Sequence, residues 1–441
     1  MKLTLYNTLW RELQEFIPID KNNIKIYSCG PTVYSEPHIG NIRYFVFCGL
    51  LKKTLENIAW YPVTHVMNIT DVGHLVSDGD EGEDKMEKGA RREGITARDV
   101  AERYTQTFMN ILEKLNIQFD ILPKATDHIT EQIDMIQVLE QKGYTYVIEN
   151  DGVYFDTKKM PDYGVLVGKK HLEGLQSWSR VEDAGKRNLT DFALWKFNIS
   201  WKKRDMERGS PRGIGFPGWH IECSAMGTKY LGKHFDIHTG GIDHIAVHHT
   251  NEIAQSECST CDKPRVNYRL HSQFLNSNWQ KISKSLENGY TLGQILEKWY
   301  QSEDLVYFFY QAHYRSFQDF TWEGLEAAKK GRKGLKLVED EGYPYDDVIA
   351  PLLQDLNTPV FLANLHKHGV STRLNSIFNL VSNEEWAEVI IVPADVQNLA
   401  DQRRQAKFEK NWELADSLRT KIEAKWFKML DQSDSFQIIK I

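Results

Sequence analysis

The sequence predicts an α/β protein built on a doubly wound parallel sheet that binds a nucleotide, and three stretches carry that expectation. In the first, Ile24 and Ile26 alternate as in a buried strand, the turn from Tyr27 to Asn41 (YSCGPTVYSEPHIGN) follows, and an apolar-periodic run from Tyr44 to Leu55 reads as a helix. Such a turn offers unpaired backbone N–H groups and the positive end of the helix dipole to a phosphate, and His38 stands where a side-chain donor can join them. In the second, Phe235–Thr239 reads as a strand running into Gly240-Gly241-Ile242-Asp243. A carboxylate at a strand's C-terminal end suits ribose hydroxyls, and the two glycines let backbone approach a nucleotide. The third is Lys281-Ile282-Ser283-Lys284-Ser285, a cationic loop before the turn Glu287-Asn288-Gly289. Its two ammonium groups suit a polyphosphate, because they can follow charge onto a leaving pyrophosphate. Taken singly, each stretch has a plainer reading as an ordinary turn or a solvated loop; the glycine turn and the lysine loop gain force together.

Length and charge bound the rest. A chain of 441 residues holds more than one core and is expected to divide into two to four domains. The net charge of −7 argues against a nonspecific DNA coat, while a local basic surface would still serve an RNA. No apolar run approaches membrane-spanning length and MKLTLYNTLWREL lacks a signal-peptide pattern, so a cytoplasmic protein is expected. Five cysteines, Cys29, Cys48, Cys223, Cys258 and Cys261, suit free thiols or metal ligands better than a disulfide framework.

In chain order, residues 1–115 read as the first half of the nucleotide fold. After the opening turn and its helix, Trp60 to Ile69 reads as a second strand, followed by a solvated loop rich in Gly and Asp up to Glu83. Thr96 with Asp99 then starts a long amphipathic helix to Leu115 by capping-box logic. Residues 116–205 break the pattern with a helix near Thr130–Lys142, strands Tyr144–Ile148 and Val153–Asp156, and polar loops; they read as an insertion between sheet halves. Residues 206–275 form the second half. The lysine loop and connecting helices occupy 276–320, a helical region 321–395, and a helical tail 396–441. Leu292–Tyr300, Glu303–Tyr314 and Thr321–Val338 are helix candidates, and the last carries the chain's densest basic cluster: Lys329, Lys330, Arg332, Lys333 and Lys336. A solvated face is its plain reading; an RNA backbone is the rival. Two further helices are expected near Val396–Phe408 and Glu413–Trp426.

Metal-ligating residue types gather in the second half. His248 and Glu252 stand at i, i+4 on one helix face, Cys223 lies in GWHIECSAM, and Cys29 belongs to the first turn. Two thiolates, an imidazole and a carboxylate make a set that Zn²⁺ accepts. By spacing alone Cys258-Ser-Thr-Cys261 is the stronger metal signal, but with no second pair nearby it reads as an incidental thiol pair. His220, His234, His238, His244 and His249 outnumber the ligands needed; some are expected in a substrate pocket and most as satisfied polar contacts.

The pair PHIGN and KISKS resembles the two signatures of class I aminoacyl-tRNA synthetases, HIGH and KMSKS. SCGPTVYSEPHIGN, NITDVGHLVSDGDEGEDKM, GFPGWHIECSAM and GGIDHIAVHHTNEIAQSE narrow the resemblance to the cysteinyl-tRNA synthetase family, with weaker similarity over nearly the whole chain. The resemblance implies a Rossmann-type catalytic fold with a connective insertion, closed by RNLTDFALWKF, and a C-terminal helical, anticodon-side region that is shortened between Glu339 and Pro393. It implies one zinc ion on Cys29, Cys223, His248 and Glu252, and ATP with Mg²⁺ at His38, Gly40, Asn41, Gly240, Gly241, Asp243 and Lys284. His38, Asn41, Lys281 and Lys284 are the implied catalytic groups. Cys29, Gly30, Thr32, Trp219 and His220 are expected to form the substrate pocket. The implied partners are L-cysteine, ATP and tRNA(Cys), with no membrane and no DNA, for a protein acting as a monomer. Zinc would suit cysteine as substrate, since it takes a thiolate far better than serine's hydroxyl. Asn41 replaces the second histidine of HIGH, Ile282 the methionine of KMSKS, and Glu287 a usual glycine. Two rivals follow: a ligase passing the same cysteinyl adenylate to an amino sugar, and a noncatalytic zinc-stabilised RNA-binding relative.

Overall fold

Strand β3 (Ile24–Ser28) is apolar on alternate residues and lies at the centre of the catalytic sheet. It follows a short N-terminal hairpin of β1 (Thr4–Asn7) and β2 (Glu12–Glu15). The computed structural model describes residues 2–72, 85–168, 185–198, 206–282, 288–381, 393–409, 411–425, 427–431 and 436–440. The acidic loop and the segment Ser283–Glu287, with Lys284, lie outside them.

From β3 the chain enters helix α1 (Ile39–Asn57), capped by His38. It returns as β4 (Val63–Met67), parallel to β3. The helix is buried on several sides, through Ile39, Ile42, Phe45, Val46, Leu50 and Leu51, so it reads as apolar almost throughout rather than as one stripe. The strand expected from Trp60 starts only at Val63, because Trp60 takes a left-handed φ of 61° that no strand accommodates. Helices α2 (Lys85–Glu93) and α3 (Ala97–Lys114) follow, the latter with the expected Thr96/Asp99 capping box.

The insertion contains α4 (Ile129–Gln141) and strands β5 (Thr145–Ile148), β6 (Gly152–Phe155), β7 (Phe192–Phe197), β8 (Arg208–Ser210) and β9 (Gly213–Pro217). They form one antiparallel sheet in the order β5-β6-β7-β9-β8 over an apolar core that includes Leu139, Phe155, Phe192 and Leu194 and is shared with Ile221, Ala225 and Ile253 of the segment that follows. This sheet therefore runs on to Pro217, past the expected end at 205.

Helix α5 (Trp219–Leu231), strand β10 (Phe235–Gly241), helix α6 (His248–Thr260) and strand β11 (Val266–Ser272) complete the catalytic sheet. Its order is β11-β10-β3-β4, all parallel. The chain leaves β3 toward one edge and β10 toward the other, so a crevice opens between their C-terminal ends, the place where such sheets bind ligands.

Beyond it, β12 (Leu275–Ser277) pairs with β13 (Gln280–Lys281) and runs parallel to β14 (Gln318–Phe320). Helices α7 (Leu292–Glu297), α8 (Ser302–Tyr310) and α9 (Trp322–Lys333) match the three helical candidates, each ending earlier than expected. Shorter helices follow up to Phe378. One apolar core runs from Leu3 through the sheet to Leu380, within a compact unit of residues Met1–Val381. A second unit, Ser382–Ile441, holds helices Ala394–Phe408 and Trp412–Glu423 and an antiparallel hairpin of Phe427–Asp431 with Phe436–Lys440, where a helical tail was expected.

Candidate functional site

The crevice between β3 and β10 collects the chemistry. Cys29 leaves the end of β3, Cys223 sits in the first turns of α5, and His248 and Glu252 share a face of α6. All four are buried, and their ligating atoms lie within 4.8 Å of one another. Glu252 Oε1 lies 2.9 Å from His248 Nε2 and 3.6 Å from Cys29 Sγ, while Cys223 Sγ lies 3.5 Å from His248 Nε2. Cys29, Glu252, His238 and His249 form a second, overlapping group.

The surplus histidines stand behind these donors. His220 Nδ1 meets His248 Nδ1 at 2.8 Å, which turns Nε2 of His248 to the cluster. His238 holds Glu252 Oε2 at 2.9 Å and its other nitrogen bonds the Tyr27 carbonyl at 2.8 Å. His249 lies 3.2 Å from Cys29 Sγ and is backed by His271 at 2.8 Å. Partners of this kind orient metal ligands and fix their tautomers. His234 is exposed and bonds Asn267.

Burial and the donors' mutual contacts shift the titration of all four groups. A hydrogen bond from Cys29 holds the Cys223 thiol down to about 7, while burial and Cys223 push Cys29 well up. Burial opposes ionisation of Glu252, yet His238 and His248 hold its carboxyl well below the usual range. Burial likewise opposes a charged His248, but Glu252 and Cys223 raise it to about 10. Two thiols, an imidazole and a carboxylate converging in a dry pocket favour a cation at their centre, and the donor set fits zinc. By contrast, Cys258 is buried in the insertion's core and Cys261 is exposed, with Lys142 Nζ 3.1 Å from its sulfur. Neither belongs to a group of three donors among the described residues.

Beside the cluster lies a cleft of about 420 Å³ lined by Cys29, Gly30, Thr32, Asn68, Thr70, Lys85, Trp219, Cys223 and His248. Trp219 stacks on His248 at 4.3 Å and Lys85 Nζ stands 6.0 Å from the Trp219 ring. His220, expected in this pocket, instead sits behind His248. Asn68 and Lys85 were not singled out from sequence. Asn68 accepts from the Gly30 N–H at 2.8 Å and lies 3.6 Å from Cys223 Sγ, and its place just past β4 in the NITD segment was the available signal.

A second cleft of about 250 Å³ continues from the first, the two sharing Cys29, Gly30, His38, Asn41 and Asp243. Gly40, Tyr44, Gly241, Phe274 and Lys281 also line it, and Ile282 borders both clefts. His38 and Asn41 cap α1 reciprocally: His38 Nδ1 accepts from the Asn41 N–H, and Asn41 Oδ1 accepts from the His38 N–H, both at 3.3 Å. An accepting Nδ1 puts the ring proton of neutral His38 on Nε2, and the cap leaves the Asn41 amide protons for an acceptor. The Ile39 N–H bonds the Tyr290 carbonyl at 2.8 Å, so the chain returning from the lysine loop is stitched to the helix start. Lys281 Nζ lies over the Phe274 ring at 5.3 Å. Gly240 does not line the cleft: a Cβ there would come within 2.6 Å of the His249 ring, so this glycine makes room for a histidine.

Residues 15–330 match the family model of the class I (C) tRNA synthetase catalytic domain. The chain is 44% identical to cysteine–tRNA ligase 1 of Burkholderia lata, over 98% of this chain and 95% of that one. The chain belongs to the cysteine–tRNA ligase family. A cysteine–tRNA ligase of Treponema denticola is 40% identical over 98% of both chains. The fold alone is shared with Mycobacterium tuberculosis methionyl-tRNA synthetase, solved in complex with methionyl-adenylate, at a TM-score of 0.54 and 14% identity over 87% of this chain and 84% of that one. A cysteine–tRNA ligase consumes cysteine, ATP and tRNA. The match to these ligases extends through the C-terminal helices, and the amino-sugar ligase and the noncatalytic relative give way to it. Among the described residues no helix is long and apolar enough to cross a membrane.

Proposed function

We propose that the two clefts hold the two halves of a cysteinyl adenylate, with the amino acid beside the four-donor cluster and the nucleotide against the start of α1. The convergence of Cys29, Cys223, His248 and Glu252 carries this reading. These residues would hold one zinc ion, which binds a thiolate in preference to a hydroxyl and so separates cysteine from serine. Trp219 and Lys85 flank the substrate, and Gly30 brings backbone close to it.

In the adenylation step a carboxylate oxygen of cysteine attacks the α-phosphorus of ATP, and the bond to pyrophosphate breaks. Nε2–H of His38 and the amide of Asn41 donate to phosphate oxygens, with the positive end of the α1 dipole behind them. Lys281 and Lys284 neutralise the departing pyrophosphate, Mg²⁺ bound with ATP would supply further charge neutralisation there, and Asp243 receives ribose hydroxyls. In the second step a hydroxyl of the tRNA's terminal adenosine attacks the carbonyl carbon and AMP leaves. No side chain forms a covalent bond; positioning and charge stabilisation carry the rate.

Cysteine-dependent exchange of pyrophosphate into ATP, measured with and without tRNA, tests the first step. Metal analysis tests the site: Cys223→Ser is expected to lose zinc and to raise KM for cysteine at least tenfold. Full zinc content in a Cys29→Ser, Cys223→Ser double variant would remove the site, and loss of zinc on changing only Cys258 and Cys261 would move it there.

A further inference from the structure

The turn joining β12 to β13 holds an exposed tryptophan in a backbone conformation that disfavours it. Ser277 pairs with Gln280, so Asn278 and Trp279 form a two-residue loop, with φ of 51° and 61°. Two left-handed residues make a type I′ turn, whose second place goes to glycine by preference because a bulky side chain is strained there. Trp279 is 85% exposed and recovers nothing through burial. The turn is nevertheless fixed: the Asn278 N–H donates to the Phe320 carbonyl at 3.2 Å and the Trp279 N–H to Asp319 Oδ1 at 2.7 Å. A strained, anchored backbone thus holds an indole in water.

Beyond the turn, an aromatic cluster carries cations on its rings. The fully buried Phe320, whose carbonyl anchors the turn, lies 5.2 Å from the Trp322 ring, which in turn lies 4.8 Å from Lys298 Nζ and is stacked with Tyr300 at 5.9 Å. Lys329 Nζ lies 5.1 Å from the Tyr300 ring, and Lys330 is exposed on the same helix. Trp299, next to Tyr300, is again left-handed, with φ of 64°, and 67% exposed. Glu323 and Glu326 share this surface, the latter 3.8 Å from Lys330. Flat π faces flanked by ammonium groups complement a polyanion that presents flat faces of its own, which describes single-stranded nucleic acid.

We propose that Trp279 is a platform on which an unpaired base of the bound tRNA stacks, with the neighbouring lysines taking its phosphates; this rests on the ligase function above. Stacking tolerates any base and costs nothing in counterions, so its loss has a signature of its own. A tRNA(Cys) transcript titrated against wild type, Trp279→Gly and Trp279→Phe reads it directly. Trp279→Gly is expected to weaken binding about five- to a hundredfold, with the slope of log affinity against log salt unchanged. Trp279→Phe should recover most of the affinity. The melting temperature of Trp279→Gly should not fall, since glycine relieves the turn. Wild-type affinity in Trp279→Gly, equal weakness in Trp279→Phe, or lost affinity accompanied by a lower melting temperature would each overturn the proposal. A wild-type protein that supports neither exchange nor charging would instead overturn the ligase reading beneath it.

Discussion

Gly30 leaves no room for a side chain: a Cβ placed there would lie 1.6 Å from the carbonyl oxygen of Asn68. The obstacle is backbone and cannot rotate away, and the same Gly30 donates its N–H to the Asn68 side chain at 2.8 Å. The close approach locks the turn after β3 to the segment after β4, and with it Cys29. Gly30→Ala is therefore expected to cost about 3 kcal/mol, the upper end of overpacking, and to lower metal content by displacing Cys29. Urea unfolding and metal analysis on one preparation check it; a variant with wild-type stability and full metal would show that the turn yields freely. At this scale the sequence was most informative where residues are chemically distinctive. Cys29, Cys223, His248 and Glu252 are marked as a set by the resemblance to the family, whereas spacing alone favours Cys258 and Cys261; the fold brings the four together. Asn68 is not legible, since its importance lies in a contact across the sheet, and His220 reads as a pocket residue because a sequence does not say which of several histidines stands behind another.

The helix from Trp322 to Lys333 reads as a basic strip, but its cations divide between two jobs. Arg332 points inward and is 2% exposed in its side chain, with Nε 2.8 Å from the fully buried Asp304. Its two remaining nitrogens bond Gln301 Oε1 at 2.7 Å and the Leu380 carbonyl at 3.1 Å. Of the five cations read as a solvated face or, in the rival reading, an RNA contact, Arg332 instead ties three segments of the core together, while Lys330, Lys333 and Lys336 are exposed. Removing either partner of a buried pair strands the other charge, so Arg332→Ala and Asp304→Ala should each cost about 3–5 kcal/mol. The double variant should cost less than their sum. Additive losses in urea titrations would contradict the coupling. Elements were legible where local rules decide them: the Thr96/Asp99 capping box, the buried strand at Ile24 and the helix carrying His248 and Glu252. They were not legible where a tertiary feature decides. The helix expected to reach Tyr300 stops at Glu297, and Trp299 just beyond is left-handed. β8 and β9 are short and glycine-bearing, and β9 takes its place only by pairing with the distant β7.

At the scale of the molecule, the break in packing falls far later than the change in sequence character suggests. The expected boundaries at 205, 275 and 320 all lie inside one unit whose apolar core continues to Leu380, because contacts distant in sequence tie its ends together. Asp355 shows how: it accepts from the Tyr6 N–H at 2.8 Å and the Tyr314 hydroxyl at 2.7 Å, and pairs with Arg315 at 2.6 Å. A chain cut near Glu339 would lose Asp355, the Leu380 carbonyl that Arg332 bonds, and the buried Phe361, Leu365, Leu374 and Phe378. It is expected not to fold. A chain ending at Val381 keeps every one of these contacts and both clefts. It should therefore fold, retain zinc and support cysteine-dependent pyrophosphate exchange within about twofold of the full protein. The helices it lacks, Ala394–Phe408 and Trp412–Glu423, carry Arg404, Lys407 and Lys421, cations an RNA backbone would engage, interspersed with Asp401, Glu413 and Asp416. Their loss should raise KM for tRNA in aminoacylation at least tenfold and reduce the salt dependence of binding, while KM for cysteine stays where it was. Undiminished charging by the shortened chain would mean that the catalytic unit alone grips the tRNA, and a failure of exchange would mean that the two units are not independent in folding.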